Sequence, residues 1–455
     1  MRRWRAGAGG GISGGRVKPL LGYATYVPAH RVGKRVVAGF DEDSTTMAVA
    51  AAADLGSGES SALYFATSTP AYADKTNACA IHAALGWDPG AFAADLCGTG
   101  RSGFAAIRAA VSGGGLVVAA DVRIGRAGSA DEKRGGDGAA ALSFGDGEPI
   151  AQPIAMATRT SEFLDRWRLP TRSFGQQWEE RFGFERYAAL IRSCATEALD
   201  AAGLADVDHV ALACPNPAVV KRSATLAKGQ KSVVTSPIGF SGAADAMVAL
   251  CAVLDTAVPG DTILVLSATD GCDALVLRVC PALAERRQRH PLQQRLAAGM
   301  PVDRLTYLSW RGLLELEPPR RPEPERAAAP PAGRNSAWKF GFAGSRCTNC
   351  GFVHMPPARA CRSCGAIDEM EAAPAAGLSG TVATFTVDHL AYSPSPPVVQ
   401  VAVDIDGGGR CTLELADAQP ERLCVGARVG FTFRRLFTAG DVHDYFWKAV
   451  LLDGQ

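Results

Sequence analysis

Between residues 20 and 313 the chain alternates short aliphatic, β-branched runs with alanine-rich stretches, as in Leu116-Val-Val-Ala-Ala-Asp and Thr262-Ile-Leu-Val-Leu-Ser. That alternation predicts an α/β domain with buried sheets. Two segments repeat the same order of features. A glycine-rich turn at residues 98–103 opens a helix at Phe104, then come the strand at Leu116 and Asp137-Gly-Ala-Ala-Ala-Leu142. A second turn at residues 239–242 opens a helix through residues 243–254, followed by the strand at Thr262 and Asp270-Gly-Cys-Asp-Ala-Leu275. The shared Asp-Gly-x-x-Ala-Leu at one point of the order favours internal duplication over chance recurrence of turn, helix and strand.

After residue 313 the pattern breaks. Glu317-Pro-Pro-Arg-Arg-Pro-Glu-Pro-Glu-Arg reads as a proline-stiffened linker, and a domain boundary belongs there. Beyond Gly380 short alternating runs such as Thr381-Val-Ala-Thr-Phe-Thr-Val, with turns such as Asp406-Gly-Gly-Gly, predict a small antiparallel barrel. The expected organisation is a disordered tail over residues 1–18, an α/β domain over 19–313, a linker over 314–336, a metal-binding segment over 337–378 and a barrel over 379–455. The tail carries four arginines among glycines, too polar for a signal peptide.

Composition narrows the function classes. A chain of 455 residues with 47% hydrophobic and 20% charged residues can fill two or three cores without disulfides. Its net charge of +1 gives no long-range field to gather nucleic acid or anionic lipid. No apolar run is long enough to cross a bilayer, so a soluble protein without a membrane partner is expected. Thirteen cysteines, scattered apart from two Cys-x-x-Cys pairs, suit a reducing cytoplasm and one metal site.

Those pairs are Cys347-Thr-Asn-Cys350 and Cys361-Arg-Ser-Cys364. Four thiolates on two tight turns can close a tetrahedron around zinc, their softness selects zinc or iron, and with no open position left the ion, zinc by expectation, is structural. Arg346-Cys-Thr-Asn-Cys-Gly-Phe-Val-His-Met-Pro-Pro-Ala-Arg, followed by the barrel, resembles the zinc-ribbon and OB-fold proteins of domain of unknown function family 35. The resemblance implies an OB barrel that accompanies thiolases and handles the CoA arm.

Gly22-Tyr-Ala-Thr-Tyr-Val-Pro-Ala-His-Arg-Val, Ala66-Thr-Ser-Thr-Pro-Ala-Tyr-Ala-Asp-Lys-Thr and Gly136-Asp-Gly-Ala-Ala-Ala-Leu resemble archaeal-type hydroxymethylglutaryl-CoA synthases of the thiolase superfamily. The resemblance implies a duplicated five-layer fold, a homodimer and a CoA thioester ligand. Condensing members use a cysteine at a helix N-terminus, a glutamate, a histidine and an asparagine. Laid on this chain, the glutamate falls on Ser68, the cysteine on Gly100, the histidine on Ala213 and the asparagine on Phe240. Cys97 sits three residues before the helix tip that would activate it. Cys97 is therefore the one candidate nucleophile, and Ser68, Gly100, Arg101, Ala213 and Phe240 are candidate pocket residues. Cys214, Cys272, His82 and His209 read as structural.

Three functions remain open. The first is a CoA-thioester-binding member of an acyltransferase or thiolase complex, docked to a companion thiolase and without condensing residues of its own. The second is a divergent enzyme of the acyl-CoA cleft, either transferring acyl groups through Cys97 or cleaving carbon–carbon bonds as superfamily aldolases do, with Tyr72, Asp74 and Lys75 as acid or base groups. The third, nucleic-acid binding through the OB barrel, ranks last because the aromatics of residues 431–446 lack a clustered basic stripe.

Overall fold

The computed structural model describes residues 17–452 apart from 57, 59, 228, 318–320, 322 and 327–332. The expected tail, up to residue 16, and part of the expected linker lie outside the described residues.

The first half contains β1 (Leu20–Tyr26), β2 (His30–Val32), β3 (Arg35–Val37), α1 (Ser44–Leu55), β4 (Ala62–Thr67), α2 (Ala78–Ala84), β5 (Phe92–Cys97), α3 (Arg101–Gly113), β6 (Gly115–Asp121), α4 (Ala130–Arg134) and β7 (Gly138–Phe144). The second contains β8 (Ala151–Thr160), β9 (Arg166–Trp167), β10 (Gln176–Gln177), α5 (Glu180–Ala202), β11 (His209–Ala213), α6 (Pro217–Lys221), α7 (Ser223–Leu226), β12 (Ser232–Val234), α8 (Asp245–Leu254), β13 (Thr262–Ser267) and β14 (Gly271–Val279).

The sheet runs β12-β11-β13-β14-β8-β1-β7-β6-β4-β5, so each half repeats one strand order, and the halves join where Leu20 of β1 faces Ala151 of β8. Strand residues alternate between two apolar layers, as period-two geometry requires. Val117, Ala119, Val265 and Leu275 face the central helices α3 and α8, while Val118 faces the layer of α1 and Leu264 and Val276 face that of α5. The result is the duplicated, five-layer thiolase-like arrangement. Helix α3 packs so closely on the turn that leads into α8 that a Cβ on Gly103 would lie 1.9 Å from the Ala243 carbonyl oxygen. Among the described residues no helix is long and apolar enough to cross a membrane.

The C-terminal part has two small sheets. The ribbon pairs β16 (Ala343–Cys347), after the short β15 (Met300–Pro301), with β17 (Val353–His354) and β18 (Met370–Pro374). The OB barrel comprises β19 (Gly380–Asp388), β20 (Val398–Ile405), β21 (Arg410–Glu414), β22 (Arg428–Ala439) and β23 (Val442–Leu451), in the order β21-β20-β19-β22-β23. A bridge between Leu415 and Ala449 closes it.

The barrel does not hang free. Its apolar face shares one core with α1 and the outer face of the first half-sheet. The loop before α1 inserts its acids against the β22–β23 hairpin. Lys448, 1% exposed, meets Asp41 at 2.8 Å and Glu414 at 3.1 Å. Arg434, 2% exposed, pairs with Glu42 and with Asp417 at 2.9 Å. Tyr445 donates to Asp43 at 2.7 Å, and the Arg435 backbone N–H donates to the Asp41 carbonyl at 2.9 Å. Burial pushes the Asp41 carboxyl up, but Lys448 and Arg434 outweigh it and hold the group below its ordinary range. Burial keeps Glu42 above its own.

Buried charges of this kind are costly to orphan. Replacing Arg434 by Met, which strands Glu42 and Asp417, is expected to lower stability by about 3–5 kcal/mol. Denaturant unfolding of the full chain, read through tryptophan fluorescence, measures the loss.

Candidate functional site

The parallel strands β4, β5 and β6 of one half and β11, β12 and β13 of the other end near the point where the central helices begin. Ligands of open parallel sheets bind at such carboxyl ends. Four of the five expected pocket positions fall there: Ser68 after β4, Gly100 before α3, Ala213 at the end of β11, and Phe240 before α8.

The centre of this region is the Asp121 carboxylate, fully buried at the end of β6. One oxygen accepts from Thr67 Oγ1 at 2.8 Å, the Ser68 N–H at 2.7 Å and Thr69 Oγ1 at 2.7 Å. The other accepts from Ser68 Oγ at 2.9 Å and from the Ala243 N–H at 2.6 Å, which belongs to the opposite half. A carboxylate with this many donors is held in one position. Gly242 must be glycine here: its φ is +60°, and a Cβ would lie 1.9 Å from Asp121 Oδ2. Gly100 abuts the same turn, its hypothetical Cβ 3.2 Å from the Gly242 carbonyl and 3.1 Å from Thr269 Oγ1.

Above Asp121 lies arginine. Arg123 donates to Ser68 Oγ at 2.7 Å and stacks over the Phe240 ring, 5.1 Å from its centroid. Arg166 lies over the same ring at 5.7 Å and holds Asp131 through both guanidinium nitrogens. Arg168 donates to the Ser68 carbonyl at 2.7 Å. A small cleft opens from here, lined by Arg123, Asp131, Arg134, Gln177, Pro215 and Phe240 among others. The Gln177 side-chain nitrogen is buried there without a hydrogen-bond partner.

The other candidates are placed as follows. Arg101 turns toward the second half, where it grips Asp273 at 2.8 and 3.0 Å and the Asp270 carbonyl at 3.0 Å. Ala213 is buried at 4% exposure. Cys97 ends β5 opposite Thr67, ahead of the helix, and burial followed by Asp95 and Asp121 pushes its thiol up to about 11. Tyr72 accepts the His443 N–H at 2.7 Å and so belongs to the barrel contact, while Asp74 and Lys75 are exposed. His209 bridges Ser232 at 2.7 Å and Asp261 at 3.0 Å, and Cys214 and Cys272 are buried.

Asp121, Arg123, Arg166 and Asp131 were not singled out in the sequence, although Asp121 closes the Leu116-Val-Val-Ala-Ala-Asp strand. A charged residue ending an otherwise apolar strand is the available signal. A further acid, Asp245, opens α8 and accepts from the Ser241 N–H at 3.1 Å and Ser241 Oγ at 3.3 Å. Burial raises its pKa to about 7 despite these donors.

The zinc ribbon gathers Cys347, Cys350, Cys361 and Cys364 with all four sulfurs within 4.8 Å of one another. Cys347 and Cys364 are 3.7 Å apart, Cys350 and Cys361 3.5 Å. A tetrahedron with Zn–S bonds of about 2.3 Å has edges near 3.8 Å, so the four fit a zinc ion. The Ala366 N–H and Asn349 favour the thiolate of Cys364, lowering its pKa to about 6.

Two expectations follow. Because Asp245 binds its proton more tightly folded than unfolded, its contribution to stability is greatest below the unfolded carboxyl pKa and declines as pH rises toward about 7. Asp245→Asn should therefore flatten the stability profile between roughly pH 4 and 7, measured by denaturant titration at several pH values. Chelating the ribbon metal, or Cys361→Ser, should unfold the ribbon, with released zinc read by a colorimetric chelator.

Comparison with known proteins places this geometry. The ChsH2 rubredoxin-like zinc ribbon domain model matches residues 341–368, and the ChsH2 C-terminal OB-fold domain model matches residues 373–434. The hydroxymethylglutaryl-CoA synthase of Aeropyrum pernix is 30% identical over 340 residues, covering 65% of this chain and 94% of that protein. That of Archaeoglobus fulgidus is 28% identical over 302 residues, covering 62% and 88%. Among solved structures, an HMG-CoA synthase complexed with CoA superposes with a TM-score of 0.58 at 14% identity, covering 69% of this chain and 96% of that one. The curacin biosynthetic pathway HMG synthase in complex with acetyl donor-ACP gives 0.55 at 16% identity, covering 65% and 88%.

Proposed function

Since the chain belongs to the hydroxymethylglutaryl-CoA synthase family, we propose that it binds a CoA thioester in the arginine-lined cleft without condensing it, and serves within a thiolase or acyltransferase assembly. The observation that carries this reading is Arg123, stacked on Phe240 and hydrogen-bonded to Ser68. By the family resemblance, Phe240 and Ser68 fall where condensing members would carry the asparagine and the glutamate.

The remaining residues point the same way. At the helix tip Gly100 has no side chain to acylate. Ala213 offers no imidazole to take a proton. Asp121 is saturated by five donors and separated from the cleft by Ser68 and Arg123, which makes it a positioning residue. What the site retains is cationic and aromatic surface for holding an anionic ligand.

Other features support an assembly. β5 is an edge strand, pairing β4 on one side, and exposes Phe92 at 59%. Such an edge suits pairing with a second copy, a homodimer. The ribbon and barrel, rooted beside α1, would present the CoA arm or meet a companion thiolase. Free cysteines throughout the described residues accord with a reducing cytoplasm.

Acyl transfer through Cys97 is the second reading, favoured by an exposed thiol beside the Ser68 region. Intact-mass analysis after incubation with acetyl-CoA and longer acyl-CoAs separates the two. The proposal expects saturable binding and no covalent adduct. An adduct that disappears in Cys97→Ala would establish the second reading in its place.

A further inference from the structure

The hairpin that walls the cleft has a second face. β9 and β10 pair Arg166 with Gln177 and Trp167 with Gln176, as a two-stranded sheet apart from the ten-stranded one. Successive residues of a strand point to opposite sides. Arg166 and Gln177 take the cleft side, the first over Phe240 and the second in the cleft wall. Trp167 therefore faces away from the cleft, with the Trp178 ring beside it at 6.2 Å between centroids.

Apolar side chains left in water concentrate on this hairpin. Leu164 is 51% exposed, Leu169 59%, Trp178 55% and, in the first turn of α5, Phe182 43%. Single exposed apolar residues are ordinary, whereas a run of large ones marks a surface that meets something. The charges among them are of one sign. From residue 163 to residue 178 the sole acid is Asp165, which is 2% exposed. The exposed stretch from 168 to 173 carries Arg168 and Arg172, and Arg126 lies nearby, 5.9 Å from the Phe174 ring centroid. No ion pair among the described residues engages these three arginines. Glu162 and Glu179 stand at the two ends of the stretch, and the chain's net charge of +1 conceals the local excess between them.

From this we propose that the outer face of the β9–β10 hairpin, led by Leu169 and Trp178 and flanked by Arg172 and Arg126, inserts at the surface of an anionic lipid bilayer. Indole rings settle at headgroup depth, a leucine reaches past them, and guanidinium groups meet the lipid phosphates. A two-stranded hairpin standing apart from the main sheet offers an insertion loop, whereas the anchors of a protein interface sit at the centre of a broad, desolvated plane. The contact is interfacial, since among the described residues no helix is long and apolar enough to cross a membrane. The opposite face of the same hairpin walls the cleft, so docking brings the cleft beside the lipid surface. The proposal is independent of what the cleft binds.

The test floats the full-length protein on a density gradient with vesicles of phosphatidylcholine, or of phosphatidylcholine and phosphatidylglycerol in equal parts. The mixed vesicles should bind the protein about tenfold more tightly than the neutral ones, and added salt should remove the difference. Leu169→Ser and Arg172→Glu, both at exposed positions, should each weaken binding to the mixed vesicles by about five- to tenfold. Trp178→Ser provides a further variant, and circular dichroism checks that each one folds. Binding to neither vesicle, equal binding to both, or binding to the mixed vesicles that survives all three substitutions would overturn the proposal. So would a wild-type dimer in vesicle-free buffer that Leu169→Ser converts to a monomer, which would assign the face to a second copy of the chain. No thioester is present in the experiment, so its failure leaves the function proposed above untouched.

Discussion

The site is organised by a buried carboxylate that must be satisfied. Asp121 lies in a region where an unpaired charge costs several kcal/mol, and its five donors come from β4, the loop after it, and the helix entrance of the opposite half. Gly242 is forced by the approach of that carboxylate, and Gly100 packs on Gly242 in turn. Ser68, whose hydroxyl is shared between Asp121 and Arg123, carries the constraint outward to the cleft. One acid therefore sets the backbone of both helix tips and the position of the arginine that covers them.

A second electrostatic constraint governs the relation of the domains. Loop acids Asp41, Glu42 and Asp43 and barrel residues Arg434, Tyr445 and Lys448 each supply one half of a shared network. Apolar contact supplies area, while the charges specify one docking pose, since displacement by a few ångströms leaves several ions buried and unpaired. Tyr72 extends the contact from the segment that follows Ser68 to His443 of the barrel. The barrel is thus continuous, through one short segment, with the edge of the site.

Much of the fold was legible because it depends on local pattern. Alternating apolar runs, the repeated Asp-Gly-x-x-Ala-Leu and the paired Cys-x-x-Cys knuckles are determined by neighbours a few residues away. Of the candidate site, Gly100 and Phe240 could be proposed from the sequence because they occupy turns at helix tips. Arg123 and Asp131 escaped notice because their meaning comes from partners brought by other elements: Ser68 from β4's end, Phe240 from the second half, and Arg166 from β9, 35 positions beyond Asp131. Arg101 shows the converse, since its place at a helix tip suggested a pocket wall, whereas bidentate pairing with Asp273, 172 positions away, turns it to the second half. Long-range ion pairing of arginine leaves little trace in sequence spacing.

On the function proposed above, the cleft binds a thioester and does not condense it. The most direct measurement mixes the purified chain with acetyl-CoA and acetoacetyl-CoA and quantifies free CoA over time by chromatography. The account predicts release no faster than in buffer at protein concentrations that saturate binding. Catalytic release that saturates in both substrates would contradict it.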